Sequence, residues 1–296
     1  MTGSCLEALA SMSPSTQALV IDNASTDRTV ELARQREGAC VTANAENRGF
    51  AAAVNQGVRI SDADLVLLLN PDARLLTPLD DLAEAARRYG LAGGRLVDEK
   101  GRDQRGFTIR RFPTPATLLF ELFGLNRLWP QNPVNRSYRY LDRDLNAGGP
   151  VEQPAGAFLM FRRDVWERLG GFDESFRPIW FEDVDFCRRA ALAGCRIEYV
   201  PSAVAEHQGG HSVGRLPPAR RGVYWCDSLL RYASRHFGPG RYRAICLAVV
   251  LTSVPRMVAG MIRERNLSPV SSCKEIIRFA GRRLVCWSRA APPSQD

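Results

Sequence analysis

The chain lacks several features that mark particular classes of protein. Its eight cysteines are scattered without a Cys-x-x-Cys pair, and no secretory leader is present. We therefore predict reduced thiols in a cytoplasmic protein. The 296 residues contain no internal repeat or low-complexity tract, and 45% apolar with 24% charged residues argues against disorder and against fibrous proteins. The remaining class is a globular protein that is long enough to bury a sizeable core.

The sequence also lacks an apolar run as long as the roughly 20 residues that a membrane-spanning helix needs. Residues 244–251 are apolar, but Thr252, Ser253 and Pro255 follow, so we expect that this segment does not cross a bilayer. Five arginines flank the run: Arg241, Arg243, Arg256, Arg263 and Arg265. The segment either lies in the membrane interface with its arginines toward lipid phosphates or packs as a helix against the rest of the protein.

Charge is unevenly distributed along the chain. Of the net charge of +8, residues 215–296 carry +11, from 15 Lys or Arg against four acids, and residues 1–214 carry −3. A basic region of this kind suits nucleic acid or an anionic membrane surface. Because its aromatic residues form no recognisable base-stacking motif, we predict a membrane surface as the partner and no nucleic acid.

The first two-thirds of the chain alternates short apolar runs with helical patterns, which is typical of an α/β domain. The predicted strands include residues 18–21, 65–69, 157–161 and 196–200. The run at 65–69 is almost purely aliphatic, which predicts a strand that is covered on both faces.

The domain boundary is predicted from where the helical pattern takes over. We expect an α/β domain over residues 1–214, with a mixed, mainly parallel sheet flanked by helices, and a basic helical tail over residues 215–296. Within the first domain, Thr77 and Pro78 are predicted to start a helix that ends at Tyr89.

Three acidic side chains occupy four consecutive positions: Glu182, Asp183 and Asp185. They are predicted to lie in the first turn of a helix, where free N–H groups and the positive dipole end stabilise an ionised carboxylate. An ionised carboxylate of this kind is suited to act as a general base. For Asp185 an alternative stays open, because an acid in the first turn is ordinary capping and can pair with Arg188 or Arg189.

Further motifs occur around the acids in a particular order. They are Asp22-Asn23-Ala24-Ser25-Thr26-Asp27, Asn47-Arg48-Gly49-Phe50, Asn70-Pro71-Asp72, Gly170-Gly171-Phe172-Asp173-Glu174 and Glu206-His207. In this order they resemble the family 2 glycosyltransferases, in particular the bacterial rhamnosyltransferase-like branch. The resemblance runs from about Ala18 to Ser212 and implies a GT-A (Rossmann-like) fold.

The resemblance implies that a nucleotide-sugar contacts Asp22, Asn23, Asn47 and Asn70. Asp22 ends an aliphatic strand, and ligands of open α/β sheets bind beyond the carboxyl ends of strands. A carboxylate there can accept hydrogen bonds from a base or ribose. The alternatives are that Asp22 and Asn23 turn the chain before a cap at Ser25, and that Asn47 belongs to a helix cap.

The resemblance also implies that Asp72 and His207 hold Mg²⁺ or Mn²⁺. Oxygen ligands suit hard divalent cations, neutral imidazole can complete the coordination sphere, and an ion bridged to a diphosphate stabilises the leaving group. Asn70 replaces the first acid of the family's Asp-x-Asp signature. His211 is the less favoured substitute for His207, and a plain strand-to-turn cap is the alternative for Asp72.

On the acceptor side, the resemblance makes Asp183 the catalytic base and Glu182 the residue that orients the acceptor. The implied acceptor contacts are Gly171, Phe172, Asp173, Glu174 and Trp180. A structural alternative for the double glycine is a helix stop followed by a hydrophobic plug.

The predicted function is inverting transfer of a hexose or rhamnose-like deoxyhexose from a nucleotide diphosphate sugar to a lipid-linked or polysaccharide acceptor, by a protein peripheral to the inner face of a bacterial cell membrane. One alternative is a truncated, non-catalytic relative that serves as a binding or scaffold subunit. Family members begin with an aliphatic strand that is not found before Leu6, so half of the base-binding floor is predicted to be missing. A sugar-nucleotide-forming nucleotidyltransferase is disfavoured, because no glycine-rich, basic phosphate loop is present.

Overall fold

The computed structural model describes residues 2–209, 214 and 216–285. The chain forms two compact units. The first unit contains residues 1–112, 139–178 and 182–211, and the second contains residues 113–138, 179–181 and 212–296. Residues 113–138 therefore belong with the C-terminal helices, although the sequence placed them in the first domain.

The first unit is built on one main sheet with two short two-stranded sheets beside it. Its strands are β1 (Ala18–Asp22), β2 (Ala39–Ala43), β3 (Leu65–Leu69), β4 (Ala73–Leu75), β5 (Gly90–Val97), β6 (Ile109–Arg110), β7 (Gly149–Pro150), β8 (Gln153–Pro154), β9 (Phe158–Arg162) and β10 (Arg196–His207). The main sheet has the order β3-β9-β5-β10-β4, and β7 also pairs with β10.

The strand directions make the sheet mixed, as predicted. β5 and β10 are parallel, whereas β3–β9, β5–β9, β4–β10 and β7–β10 are antiparallel. In the described part of the chain, β1 and β2 form a separate parallel sheet. Antiparallel pairings therefore outnumber parallel ones among the described strands, which corrects the expectation of a mainly parallel sheet.

Helices cover both faces of the main sheet. Those of the first unit are α1 (Thr2–Met12), α2 (Thr29–Arg34), α3 (Phe50–Ile60), α4 (Asp80–Tyr89), α8 (Arg163–Arg168) and α9 (Glu182–Leu192). Leu159 and Phe161 of β9 lie in a buried cluster with α3, α8 and α9, whereas Phe158 and Met160 lie in a cluster with α1 and α4. β3 divides its side chains in the same way, so the predicted strand with two covered faces is confirmed.

Helix α4 begins two residues later than predicted. Its N-cap is Leu79, which makes no side-chain capping bond. The Oγ1 of Thr77 instead accepts a hydrogen bond from the backbone N–H of Val204 at 2.8 Å. The predicted role of Thr77 as a helix cap is therefore wrong, because its hydroxyl satisfies an N–H in the irregular part of β10.

Asn55 of α3 holds the double-glycine segment in place. Its Nδ2 donates to the carbonyl of Phe172 at 2.8 Å and to Oε1 of Glu174 at 2.9 Å. Its Oδ1 accepts from the N–H of Phe172 at 2.8 Å and from Nε1 of Trp166 at 3.0 Å. A Cβ on Gly171 would lie 2.7 Å from that oxygen, and φ there is +77°, so only glycine fits.

The second unit is helical. Its helices are α5 (Pro115–Leu122), α6 (Leu125–Leu128), α7 (Pro133–Tyr138), α10 (Pro218–His236), α11 (Pro239–Glu264) and α12 (Ser268–Val285). Helix α11 contains 26 residues, includes Pro255, and extends beyond both ends of the apolar run at 244–251. The hydroxyls of Thr252 and Ser253 donate to the carbonyls of Ala248 and Val249 at 2.8 and 2.6 Å. These polar groups are therefore satisfied within the helix, which is long and apolar enough to cross a membrane by length and composition.

We predict that Asn55→Ala lowers the free energy of unfolding by roughly 2–4 kcal/mol, since it leaves the buried backbone groups of Phe172 without their partner. Urea unfolding followed by circular dichroism measures the change. Gln56→Ala is the matched control in the same helix, because the Gln56 side chain bonds that of Asn44. Equal losses in the two variants would contradict the role given to Asn55.

Candidate active site

Asp22 lies where the small parallel sheet ends. It is buried, and its Oδ2 accepts a hydrogen bond from the N–H of Ser25 at 2.9 Å. Its backbone carbonyl accepts from the N–H of Asn44, the residue that follows β2. One carboxylate oxygen of Asp22 therefore stabilises the turn, and the nucleotide contact predicted for Asp22 stays a prediction.

An amide network continues from this strand end. Asn23 Nδ2 donates to the carbonyl of Gly49 at 3.0 Å, and Asn23 Oδ1 accepts from Asn44 Nδ2 at 3.1 Å. Asn44 and Gln56 exchange hydrogen bonds at 2.9 and 3.1 Å, and Asn47 Oδ1 accepts from the N–H of Gly49 at 2.9 Å. The predicted donor residues Asp22, Asn23 and Asn47 are thus brought together with Asn44 and Gln56.

Asp72 and His207 meet although they are far apart in sequence. Asp72 lies in the turn between β3 and β4, and antiparallel pairing sets the end of β10 beside β4, with His207 opposite Ala73. His207 Nε2 lies 3.5 Å from Asp72 Oδ1, and the two side chains are 3% and 7% exposed. Asn70 Nδ2 lies 3.5 Å from the same ring nitrogen.

The geometry fits a shared divalent cation. Two ligands about 2.1 Å from one ion, at right or tetrahedral angles, lie about 3.0–3.4 Å apart, close to the separation of Asp72 and His207. Among residues 2–209, 214 and 216–285, no group of three or more His, Cys, Asp or Glu side chains is arranged to hold a metal. Two protein ligands suit an ion that takes its other ligands from substrate phosphates and water.

Cys5 lies close to this pair without taking part in it. Its thiol donates to the carbonyl of Asn70 at 3.6 Å. Burial, together with the negative charge of Asp72, raises the pKa of the Cys5 thiol to about 11. The thiol is therefore protonated at neutral pH, as its hydrogen bond to the Asn70 carbonyl requires.

Asp183, at the start of α9, is held by backbone and amide groups of the β8–β9 connection. Its Oδ2 accepts from the N–H of Gly156 at 2.9 Å and from Gln153 Nε2 at 3.4 Å. The neighbouring Ala157 accepts from the N–H of Asn70 at 3.0 Å, next to the β3–β9 pairing. Asp183 and the Asn70–Asp72 segment are therefore tied to adjacent residues at one end of the sheet.

The other two acids of α9 have different surroundings. Asp185 is fully buried and accepts from Arg189 Nε at 2.7 Å. Arg189 also donates to the carbonyls of Leu169 and Gly171 at 2.8 Å each, so the pair links α9 to the glycine stop. Glu182 is 4% exposed, and its predicted acceptor role stays a prediction.

The predicted acceptor loop divides into core and polar residues. Phe172 is 1% exposed, and its ring stacks on that of Phe186 with centroids 4.2 Å apart. The ring therefore packs in the core, as the alternative of a hydrophobic plug after the double glycine predicted. Asp173 Oδ1 accepts from the N–H of Ser175 at 2.9 Å, and Glu174 lies 3.7 Å from Arg59. An acceptor contact through the Phe172 ring is therefore excluded, while Asp173 and Glu174 keep that prediction.

Trp180 precedes the acids in the sequence and lies in the second unit. It has a φ of +85°, and Phe181 follows at +71°. Such backbone costs about 1–3 kcal/mol per residue and occurs preferentially at functional sites. His211, the less favoured metal ligand, lies outside the described residues.

Comparisons with known proteins identify the family. Residues 2–170 match Glycosyl transferase family 2, and residues 129–220 match Glycosyltransferase like family 2. The chain is 33% identical over 254 residues to the N-acetylglucosaminyl-diphospho-decaprenol L-rhamnosyltransferase of Mycobacterium tuberculosis, covering 78% of this chain and 80% of that protein. The chain belongs to glycosyltransferase family 2. The predicted family and its GT-A fold are confirmed.

Other relatives are more distant. Rhamnosyltransferase WbbL of Escherichia coli is 28% identical over 172 residues, covering 56% of this chain and 60% of WbbL. A solved structure, the mannosyltransferase PcManGT from Pyrobaculum calidifontis in complex with GDP-Man and Mn²⁺, gives a TM-score of 0.48 at 15% identity and covers 95% of this chain and 82% of that one.

Some residues that shape the candidate site were missed by the sequence prediction. Asn44 directly follows an apolar strand, as Asp22 ends one, and that shared position was a usable signal. Gln104, which contacts His207, lies in an irregular stretch without a recognisable motif. Gly156 was missed because its importance comes from the close approach of Asp183.

We predict that Gly156→Ala lowers kcat of sugar transfer by roughly tenfold or more without weakening nucleotide binding. A Cβ at this position would lie 3.0 Å from Asp183 Cβ and 3.1 Å from Oδ2, so the carboxylate must shift, and small displacements of catalytic groups are costly. Steady-state kinetics and nucleotide titration measure the two effects. Gly222→Ala is the control, since open space surrounds that position; an unaltered kcat in Gly156→Ala would count against the placement of Asp183.

Proposed function

We propose that the protein is an inverting glycosyltransferase that moves a deoxyhexose such as rhamnose from a nucleotide diphosphate sugar to a lipid-linked or polysaccharide acceptor in cell-envelope glycan synthesis. The observation that carries this proposal is the placement of Asp183 and of the Asp72–His207 pair at one end of the sheet. Asp183 accepts a hydrogen bond from the N–H of Gly156, and the carbonyl of Ala157 accepts one from the N–H of Asn70. The proposed base and the proposed leaving-group site therefore lie on segments that are tied together at one end of the sheet.

Departure of the nucleotide diphosphate from the donor sugar would depend on Asp72 and His207, the two buried candidate metal ligands. Asp72 and His207 would hold Mg²⁺ or Mn²⁺, which when bound neutralises charge on the departing diphosphate. Asn70, 3.5 Å from His207 Nε2, replaces an acid and so reduces the negative charge that faces the diphosphate oxygens. Asp22, Asn23 and Asn47 would contact the nucleotide at the end of the small parallel sheet.

The acceptor half depends on Asp183. The N–H of Gly156 fixes one carboxylate oxygen, and the N–H of Val184 donates to the other at 2.8 Å. The carboxylate takes the proton of an acceptor hydroxyl as that oxygen attacks the anomeric carbon. The bond from the anomeric carbon to the diphosphate breaks on the opposite side, so the configuration at the sugar inverts.

Relatives support the substrate class. The mycobacterial relative is named for rhamnose transfer to N-acetylglucosaminyl-diphospho-decaprenol, and the chain covers 80% of its length. The Escherichia coli relative is also a rhamnosyltransferase. We therefore place a deoxyhexose in the donor and a polyprenyl-diphosphate-linked sugar in the acceptor, which disfavours the non-catalytic alternative.

Asp183→Asn tests the base. We expect transfer to fall by at least about 10²-fold, because an amide cannot accept the proton, whereas binding of nucleoside diphosphate with Mn²⁺ stays nearly unchanged. Transfer is measured with radiolabelled dTDP-rhamnose and a polyprenyl-diphosphate-linked acceptor. Calorimetry with UDP, GDP and dTDP measures binding.

Asp80→Asn serves as the control, because this exposed acid lies in the first turn of α4. Wild-type turnover in Asp183→Asn would remove Asp183 from its role. No heat from the wild type at millimolar nucleotide and Mn²⁺ would instead favour the scaffold alternative.

We further propose that the protein is peripheral at the inner face of the membrane and that α11 provides the contact. Of the 15 large apolar side chains exposed in the described residues, 11 belong to the second unit. Five of them lie on α11 at spacings of three or four residues and are 46% to 74% exposed: Leu247, Leu251, Val254, Val258 and Ile262. This spacing places them in one stripe along the helix.

Charge supports an interfacial orientation. Arg243 precedes the stripe by four residues and Arg265 follows it by three, and both are exposed. The stripe is about 22 Å long at 1.5 Å per residue, less than the roughly 30 Å hydrocarbon core. The opposite face, including Ile245 and Val249, is buried in the protein. These features suit a helix that lies in the interface with arginines at the lipid phosphates.

One flanking arginine has a different role. Arg256 donates to the carbonyls of Glu121 and Leu122 at 3.2 and 2.9 Å, and so caps α5 within the second unit. After α5 follow the exposed side chains of Phe123, Leu125, Leu128 and Trp129. Tryptophan is enriched at membrane–water interfaces, so this segment fits the same partner.

The triple variant Leu251→Gln, Val258→Gln, Ile262→Gln tests the stripe. We expect its partition onto vesicles of phosphatidylcholine with phosphatidylglycerol to fall by roughly tenfold or more, because apolar area no longer enters the interface. Co-sedimentation measures the bound fraction, and binding of the wild type should weaken with salt.

The matched control is Leu32→Gln with Leu192→Gln, which changes two exposed leucines of the first unit. Equal binding by the triple variant and the wild type would overturn the interfacial proposal. Resistance of the wild type to extraction from membranes by alkaline carbonate would show that α11 spans the bilayer instead.

A further inference from the structure

Gln104 contacts His207 twice. Its Oε1 lies 3.0 Å from His207 Nδ1, and its Nε2 donates to the backbone carbonyl of the same residue. The sequence offered no motif for Gln104, and the reaction described above does not use it. A double contact with a proposed metal ligand is the arrangement that fixes a ring in one orientation.

The double contact also selects the histidine tautomer. A backbone carbonyl only accepts hydrogen bonds, so the amide nitrogen of Gln104 must face it, and Oε1 must face Nδ1. Because Oε1 also only accepts, Nδ1 must carry a proton. In the neutral ring the lone pair then lies on Nε2, the atom that faces Asp72 Oδ1 at 3.5 Å and Asn70 Nδ2 at 3.5 Å. The available lone pair therefore points to the proposed metal position.

Gln104 is itself fixed by the turn that follows β5. Its N–H donates to the carbonyl of Leu96 at 3.0 Å, and its carbonyl accepts from the N–H groups of Phe107 and Thr108 at 3.0 Å each. The Thr108 side chain is buried and donates to the carbonyls of Leu96 and Gln104 at 3.3 and 3.2 Å. The turn is thus tied to β5, the parallel neighbour of β10.

The same turn supplies a second support for the ring. Phe107 stacks on His207 with centroids 5.2 Å apart and planes 7° from parallel. The His207 imidazole is therefore held at one edge by the Gln104 amide and on one face by the Phe107 ring. Both side chains belong to the short segment 104–107.

We propose that Gln104 is a positioning residue that locks His207 in the Nδ1–H tautomer, so that Nε2 is available to the divalent cation of the nucleotide-sugar site. This inference rests on the proposed function. Gln104 acts through His207, because both hydrogen bonds of its side-chain amide go to that residue.

Gln104→Leu tests the proposal, because leucine removes both contacts while keeping a side chain of similar size. We expect Mn²⁺ affinity, measured by calorimetry or by electron paramagnetic resonance with saturating nucleoside diphosphate, to fall by roughly 10- to 100-fold. We also expect ¹⁵N spectra of the metal-free protein, at a pH of about 8, to show Nδ1–H for His207 in the wild type and a tautomer mixture in the variant.

Three further variants separate positioning from general stability. Gln104→Glu keeps an acceptor for Nδ1–H and should retain the tautomer. Gln208→Leu changes an exposed glutamine next to His207 and should behave as the wild type. Each protein also carries His211→Asn and His236→Asn, which leaves His207 as the one histidine in the ¹⁵N spectra, because the chain has three.

The outcomes are distinguishable. A wild-type tautomer and wild-type Mn²⁺ affinity in Gln104→Leu would overturn the inference while the proposed function stands. Failure of the wild type to bind Mn²⁺ with any nucleoside diphosphate would overturn both. A thermal unfolding midpoint of Gln104→Leu within a few degrees of the wild type, combined with lost affinity, would support positioning over a purely structural role.

Discussion

The pairing of β4 with the end of β10 is the constraint on which the candidate site depends. It sets His207 opposite Ala73, the residue after Asp72, and so joins two side chains that are 3.5 Å apart and nearly buried. A shift of one residue in this register would turn His207 to the other face of the sheet. The short strand β4 therefore fixes the geometry of the pair, and its three residues are sufficient because β10 is also paired with β5 over most of its length.

The three acids at the start of α9 show how much of the site the sequence could predict. The acids, the helix and the motif order were all visible, and the family and fold followed from them. Their roles depend on their partners: Arg189 of the same helix pairs with Asp185 and also bonds the carbonyl of Gly171, whereas the N–H of Gly156, which is remote in sequence, orients Asp183. The alternative that Asp185 pairs with an arginine of its own helix was derived from i, i+4 spacing, and it is confirmed because that contact is local.

Features that depend on tertiary contact were missed for the same reason. Gln104 and Asn55 act through hydrogen bonds to residues more than 100 positions away, and no local pattern marks them. Thr77 carried a strong helix-start signal that tertiary structure overrides, since its hydroxyl satisfies the N–H of Val204. Pro255 interrupts the apolar composition but not the helix, since α11 continues past it. Local rules thus predicted element types better than element ends.

The small number of protein ligands for the proposed ion has a physical consequence for how ion and nucleotide affect each other's affinity. A carboxylate and one imidazole leave most of a divalent cation's coordination sphere to water or phosphate. Nucleoside diphosphate oxygens would then contribute a large share of the binding free energy, so that ion and nucleotide would bind with positive cooperativity and each would raise the affinity of the other by the same factor. Replacing the usual first acid of the signature with Asn70 strengthens this dependence, because the protein supplies one negative charge fewer. The proposed site would hold its ion firmly with the donor and weakly without it, which would couple metal retention to the presence of a transferable sugar.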